Sequence, residues 1–387
     1  VKKLTLILLA VVAVLLGGAA ILAYRAATQI DFAGVRGAGG LAPVRTPPGF
    51  RADVFAEGLN GPRFIAFGPD GVLMVAERGA GRLVALPDED GDGRADAAVP
   101  FAEGLDQPHS LAFHKGAWYV GLPSGIVRLA DADGDGAADG AGSLVVGLPS
   151  GGSHRTRTVA FLPDGRMVVS VGSSCNVCEE EDPRRAAVLV YEDESGRGER
   201  LFATGLRNAV GLAPHPETGE LWATNNGRDL MGDDVPPDTV VIVQDGDNHG
   251  WPSCHAGNIP DPDFGGPDAC DGVAQPEATL QAHAAPLGMV FYEGGAFPEE
   301  YRGDLFIALH GSWNRAEPVG YSVVRLPVED GRAAGPVEPF AEGWYEPATR
   351  EAFGRPVGLA VGPDGALYVS DDKGGFIYRI RYDDRGG

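Results

Sequence analysis

Residues 61–77 read GPRFIAFGPDGVLMVAE, and residues 355–371 read RPVGLAVGPDGALYVSD. Each is a short apolar strand, a Pro-Asp-Gly turn and a second apolar strand. Degenerate copies begin at Gln107 (QPHSLAFHKGAWYVGL), His154 (HRTRTVAFLPDGRMVVSVG), Leu206 (LRNAVGLAPHPETGELWATN) and Ala285 (APLGMVFYEGG, then GDLFIALHG). A third strand follows each copy, for example GRLVALP at 81–87 and GFIYRI at 375–380. A fourth often recurs in similar words: VPFAEGL at 99–105, LVVGL at 144–148, RLFATGL at 200–206 and VEPFAEGW at 337–344. Six such units in one chain predict an all-β, six-bladed β-propeller of four-stranded blades over residues 50–384.

The last unit has three strands before the chain ends, and the missing phrase stands at the front as RADVFAEGL, residues 51–59. That N-terminal strand is expected to pair with the last blade and close the ring, removing an open edge.

Propeller geometry then gathers residues that are far apart in sequence. Side chains just before each inner strand surround one central funnel. They are Arg63, His109, His154 with Arg157, Arg207 with Asn208, Leu287 and Arg355. The loops after the second strands add 225–234 (NNGRDLMGDD) and 310–315 (HGSWNR).

Composition frames the chemistry. Against 31 basic residues stand 54 acidic ones, a net charge of −23, which excludes nucleic acid and anionic lipid as partners. Only Lys2, Lys3, Lys115 and Lys373 are lysines. Arginines and histidines in the funnel of an acidic protein point to an anionic ligand, or else to pairing with funnel carboxylates.

Lys2 and Lys3 precede an apolar run from Leu4 to Ala23. Residues 1–27 are therefore expected to be a hydrophobic helix, an uncleaved anchor or a cleaved signal peptide, with the rest exported. Residues 28–49 read as a linker. Export makes Cys175–Cys178 and Cys254–Cys270 the expected disulfides; the alternative for Cys-x-x-Cys is a redox or metal motif.

Two loops carry a calcium-loop pattern: Asp88, Asp90, Asp92 and Asp96, and Asp131, Asp133, Asp135 and Asp139, each with Gly at the sixth position. Position 12 is Val99 or Gly142, so the bidentate Glu is missing, and solvated hairpin turns are the alternative.

His154, the GLRN of 205–208, the NNGRD of 225–229 with GDD at 232–234, the GDNHGWP of 246–252 and the HGSWNR of 310–315 resemble the pyrroloquinoline quinone (PQQ)-dependent sugar dehydrogenases, the soluble glucose/sorbosone dehydrogenase family. The resemblance runs over roughly 45–384. It implies oxidation of an aldose or sorbosone-like sugar at C1 by hydride transfer to the quinone. His154 would be the general base, and Arg207 would stabilise charge on the quinone oxygen. Asn208 would hydrogen-bond PQQ, and backbone carbonyls of Gly227 and Arg228 would hold Ca2+ against it. Arg63, Arg315 and Arg355 would meet the cofactor carboxylates. The soluble glucose enzymes have a lysine in the blade-five loop; here His310 or Arg315 replaces it, beside Trp313 and Asn314. Trp313 is either a stacking wall or core. Electrons would leave to a membrane quinone or a cytochrome. A calcium-dependent propeller lactonase and a non-catalytic carbohydrate- or protein-binding propeller are the rival readings.

Overall fold

The computed structural model describes residues 39–383. Six blades form, each with four antiparallel strands in the order inner to outer that the repeats predict. Their inner strands are Pro62–Phe67, Ser110–His114, Arg157–Phe161, Ala209–Pro214, Pro286–Phe291 and Pro356–Val361. Each packs beside the next, and the sixth packs beside the first, so the ring is closed. One 3-10 turn, Glu299–Tyr301, is the only helical element among the described residues. The hydrophobic helix expected near the N-terminus lies outside them, and no described helix is long and apolar enough to cross a membrane.

Closure happens as the repeats imply. Phe50–Ala56 pairs antiparallel with Phe376–Tyr382 and completes the sixth blade. The ring of Phe50 sits in an aromatic nest, 4.7 Å from Phe297 and 5.1 Å from each of Tyr301, Phe340 and Tyr382. Three of those rings belong to the fifth-blade region, so Phe50 wedges the closing strand against its neighbour. The preceding residues, read as linker, are packed from 39 onward. Ala42 N–H donates to the Tyr378 hydroxyl, Gly40 N–H to Phe353 O, and Arg45 bridges to Glu342. Short apolar contacts and backbone pairing suffice to dock such a segment without periodicity in its sequence.

Blade four hides its outer strand. A 34-residue excursion, 244–277, separates Asp238–Val243 from the outer Ala278–Leu280. Part of it, Asp247–Asn248, adds a parallel fifth strand to blade three. Both expected disulfides are formed, Cys254–Cys270 within this excursion and Cys175–Cys178 in blade three.

Phe50→Ala removes the wedge at the ring's seam. It should cost about 3–5 kcal/mol in denaturant unfolding, as large-to-small changes in packed aromatic sites do. A loss below about 1 kcal/mol would show that the seam is held elsewhere.

Candidate active site

Strand register puts the functional residues at one end of the ring. In blade six Pro356 pairs with Asp371, in blade four Ala209 with Asn225, in blade five Pro286 with Leu309, and in blade three Arg157 with Val171. Residues just before an inner strand and just after a second strand therefore share the same rim. Two polar clusters assemble there.

The first joins blades three, four and five. His154 Nδ1 lies 3.1 Å from Ser173 O and 2.8 Å from Ser173 Oγ. A carbonyl only accepts, so Nδ1 carries the hydrogen and Nε2 keeps its lone pair. Burial, then the Arg207 charge, pushes the imidazole down to about 3. His154 is thus neutral across the physiological range. Gly172 explains how close the parts come: a Cβ there would lie 2.5 Å from His154 Cβ and 2.6 Å from Asn208 Oδ1. His154 and Asn208 accordingly flank one bare stretch of backbone.

Arg207 is buried and heavily bonded. Nε donates to Asn176 O at 2.9 Å, and Nη2 to Asn176 Oδ1 at 2.8 Å and Asp229 Oδ2 at 2.6 Å. Nη1 has only a 3.4 Å contact, to Asn226 O. Asp229 also accepts from Asn314 Nδ2 at 2.9 Å, while the buried Asn314 Oδ1 has no partner among the described residues.

The second cluster joins blades one, two, five and six around Asp372. Arg63 Nη1 donates to it at 2.5 Å and His310 Nε2 lies 3.0 Å away. Burial opposes its ionisation, but His310, Arg63 and Arg355 hold the carboxyl well below the usual carboxylate range. Burial, then Arg355, pushes His310 down to about 4. Arg63 Nε donates to His109 Nδ1 at 3.2 Å, so the His109 hydrogen sits on Nε2. That buried N–H has no acceptor among the described residues. Left unsatisfied it costs about 1–3 kcal/mol, so it invites an acceptor. Arg355 is held by the carbonyls of His310 and Gly311, at 2.8 and 2.5 Å.

Other expected residues lie differently. Arg315 is taken up by Asp233 O, Ala282 O and Asp234, so it staples two loops. His310, rather than Arg315, is the blade-five side chain that reaches the Asp372 cluster. Trp313 is 49% exposed, which excludes the core reading for it. Gly227 N–H donates to the buried Asp238 at 2.7 Å, and the Arg228 side chain turns to Asp261 and Asp263. Neither the Gly227 nor the Arg228 carbonyl accepts a hydrogen bond from the described residues, so both are available to a cation. The Asp88, Asp90, Asp92 and Asp131, Asp133, Asp135 ligand atoms lie within 4.8 Å of one another in each loop. Asp96 and Asp139 stand apart; they accept the backbone N–H groups of Glu89 and Ala132.

The family profile that matches this chain is described as TrAA12-like and covers residues 44–258 and 266–383. The chain belongs to the TrAA12-like family. A PQQ-dependent pyranose dehydrogenase of Coprinopsis cinerea is 27% identical over 401 residues, covering 86% of this chain and 54% of the relative. The chain spans about half the length of the first curated relatives it matches. An iodide structure of the Trichoderma reesei family AA12 enzyme superposes with a TM-score of 0.76 at 22% identity, over 90% of this chain and 100% of the other. The holo PQQ domain of the Coprinopsis cinerea pyranose dehydrogenase gives 0.74, also at 22%, over 89% and 98%. At that identity the two structures speak for the fold, and they agree that this TrAA12-like chain is one whole propeller.

Asp372, Asp229, Asn176 and Ser173 were not singled out from sequence. Asp372 reads there as the end of a strand, and Asn176 as filler between two cysteines. Only the ring geometry reveals that each faces a cation or imidazole.

Acid should destabilise the fold early. Burial holds His154 at about 3, His249 and His310 at about 4, and His109 well below its ordinary value. Between pH 6.5 and about 4 the unfolded chain binds those protons and the folded one does not, so stability is present above pH 6.5 and lost as pH falls. Burial pushes Asp238 and Asp371 up to about 6, which works the other way. Burial pushes His114 and His255 down as well, so six imidazoles stand against two carboxyls and the net effect is a loss of stability as pH falls. Unfolding midpoints measured from pH 7 to 5 should fall steadily; a flat profile would contradict the buried, neutral imidazoles.

Proposed function

We propose that this chain is a quinoprotein dehydrogenase that oxidises a pyranose or related aldose at C1, with PQQ and Ca2+ bound in the funnel. The observation that carries the reading is the neutral His154, with Nε2 as its free basic nitrogen beside the buried Arg207. The named activity of the Coprinopsis cinerea relative supports it.

The residues fit the cofactor. PQQ is a tricarboxylate, and the rim offers Arg63, Arg207 and Arg355, the first two paired with Asp372 and Asp229. The orphaned His109 Nε2–H is a further donor beside them. The free carbonyls of Gly227 and Arg228 suit a hard cation. When bound, the quinone supplies a two-electron acceptor.

The chain's own work is then simple. His154 Nε2 accepts the C1 hydroxyl proton as hydride leaves the same carbon, and Ser173 holds the imidazole in the tautomer that can do so. Arg207 presents Nη1, its lightly bonded end, toward developing negative charge. Asn208 lies across Gly172 from His154 and would bond the bound cofactor. Arg63, Arg355 and His310 would orient its carboxylates. Trp313, exposed at the blade-five loop, would face the sugar. The lactonase reading needs carboxylates free to hold metal in the funnel, whereas Asp229, Asp238 and Asp372 are each hydrogen-bonded. Export and an acceptor such as a membrane quinone or a cytochrome complete the proposal.

The test is reconstitution of the purified chain with PQQ and Ca2+, followed by dye reduction with a panel of aldoses and by visible spectroscopy. Sugar-dependent bleaching of dye and a reduced-cofactor spectrum are expected; neither binding nor turnover with any sugar would sink the assignment. His154→Ala should keep cofactor binding within about threefold and lower kcat by at least about 100-fold. Wild-type turnover in that variant would remove His154 as the base.

A further inference from the structure

The loop closed by Cys175–Cys178 lies under the reaction centre. Its second residue, Asn176, is half-buried and makes five hydrogen bonds. Its carbonyl accepts Arg207 Nε at 2.9 Å and Trp251 Nε1 at 3.3 Å. Its Oδ1 accepts Arg207 Nη2 at 2.8 Å and Asp229 N–H at 2.9 Å, and its Nδ2 donates to Asp229 O at 3.0 Å. Asn176 therefore grips the Nε–Nη2 edge of the guanidinium, and also the backbone of the aspartate that neutralises it. The Nη1 end is left to meet a ligand.

The same loop reaches the imidazole. Ser173 Oγ donates to Cys175 O at 2.6 Å and so turns its lone pairs toward His154 Nδ1. Ser153 N–H donates to Ser174 O at 2.8 Å, tying the turn that carries His154 to the residue before the loop. Four residues closed by a covalent bond thus hold Arg207 directly and reach His154 through Ser173.

We infer that Asn176, presented by the Cys175–Cys178 loop, is a positioning residue that fixes the orientation of Arg207 for the reaction. It rests on the dehydrogenase reading for its kinetic consequence, though not for its structural one. Asn176 would not touch sugar or cofactor. It acts by making the guanidinium point one way, which lowers the reorganisation needed when charge develops. An arginine with rotatable torsions and a single carboxylate partner would otherwise sample several orientations. Cystine closure restricts the loop's backbone, so the two carbonyls and the amide stay in place.

The experiment is a double-mutant cycle on the full chain: wild type, Asn176→Ala, Arg207→Ala and the double variant. Each is loaded with PQQ and Ca2+ and assayed with the sugar that the wild type oxidises best. Asn176→Ala should lower kcat by on the order of 10- to 100-fold, with KM changed less than about twofold. In the Arg207→Ala background the same change should do nothing further. A second pair, Cys175→Ser/Cys178→Ser with and without Arg207→Ala, should repeat the pattern by opening the loop, and covers the case in which Asn176→Ala fails to fold. Cofactor-free protein gives an independent readout: the shifts in thermal midpoint for Asn176→Ala and Arg207→Ala should be clearly non-additive. Unchanged kcat in Asn176→Ala, or kinetic effects that multiply independently in the double variant, overturns the inference. Should no sugar be oxidised by the wild type, the dehydrogenase reading fails; the thermal cycle still decides whether Asn176 and Arg207 are coupled, and additive midpoints there overturn the inference.

Discussion

Six inner strands meet at one axis, and each has a hydrogen-bonded neighbour on one side only. Their other edges face the axis and the neighbouring blade, where a buried, unpaired carbonyl would cost about 1–3 kcal/mol. Hydroxyls close most of these gaps. Ser110 Oγ donates to Arg157 O at 2.9 Å, Thr158 Oγ1 to Val210 O at 2.6 Å, Thr224 Oγ1 to Leu287 O at 2.8 Å and Ser370 Oγ to Arg63 O at 2.5 Å. Between blades one and two the backbone itself bridges, Phe64 N–H to His109 O at 3.0 Å. The approach is close enough that a Cβ on Gly358 would lie 2.7 Å from Arg63 O. This stitching also anchors function. Arg63 and Arg157 accept the axial hydroxyls through their carbonyls, and Arg207 O accepts Ser173 N–H at 2.8 Å. The backbones of the rim arginines are thus held by the same bonds that hold the ring.

A rigid rim lets an acidic protein keep buried cations in one place. Desolvation lowers the pKa of Arg207 and of Arg355, yet a guanidinium remains charged. Asp229 and Asp372 offset the cost, each shared among several donors. Asp229 is shared between Arg207 and Asn314, and Asp372 between Arg63 and His310, so each carboxylate serves two donors. Arg157 adds a structural variant of the same idea. Its guanidinium binds the carbonyls of His154, Thr156 and Pro149, so a cation fixes the turn that presents the imidazole.

Much of this was legible in the chain because a propeller repeats. The hairpin words identified the blades and located the rim, and the displaced phrase at 51–59 identified the seam. His154, Arg207, Asn208 and Arg355 followed from their place before inner strands, and Arg63 from the start of the first one. Legibility failed where the repeat is interrupted or the partner is remote. The outer strand of blade four, three residues long and 34 residues late, carries too little pattern to be seen. Asp372 belongs to a strand end whose neighbours in sequence say nothing of Arg63, 309 residues away. Arg315 could be placed in the right loop, but its direction depended on Asp233 and Asp234, which sit in another blade. Asn176 was masked by the cysteines around it, whose pairing drew the reading away from the Arg207 guanidinium that it holds.

The outer face of the ring follows a logic of its own. The two aspartate loops do not merely connect third to fourth strands. Ala95 N–H in the first donates to Phe55 O of the closing strand, and Ala138 N–H in the second donates to Phe101 O of blade one. Each loop therefore crosses to the neighbouring blade at the same step of the repeat, on either side of blade one. The order set by these bonds runs from the seam at Phe55 through blade one to blade two. Blade one is thus held at both ends, by Ser370 Oγ and Phe64 N–H at the axis and by the Ala95 and Ala138 N–H groups at the outer edge, and it cannot tilt without breaking one of them. That restraint matters most beside the seam, where closure relies on pairing between chain segments more than 300 residues apart. It keeps Arg63, on the first blade after the closing strand, in register with Asp372 on the last.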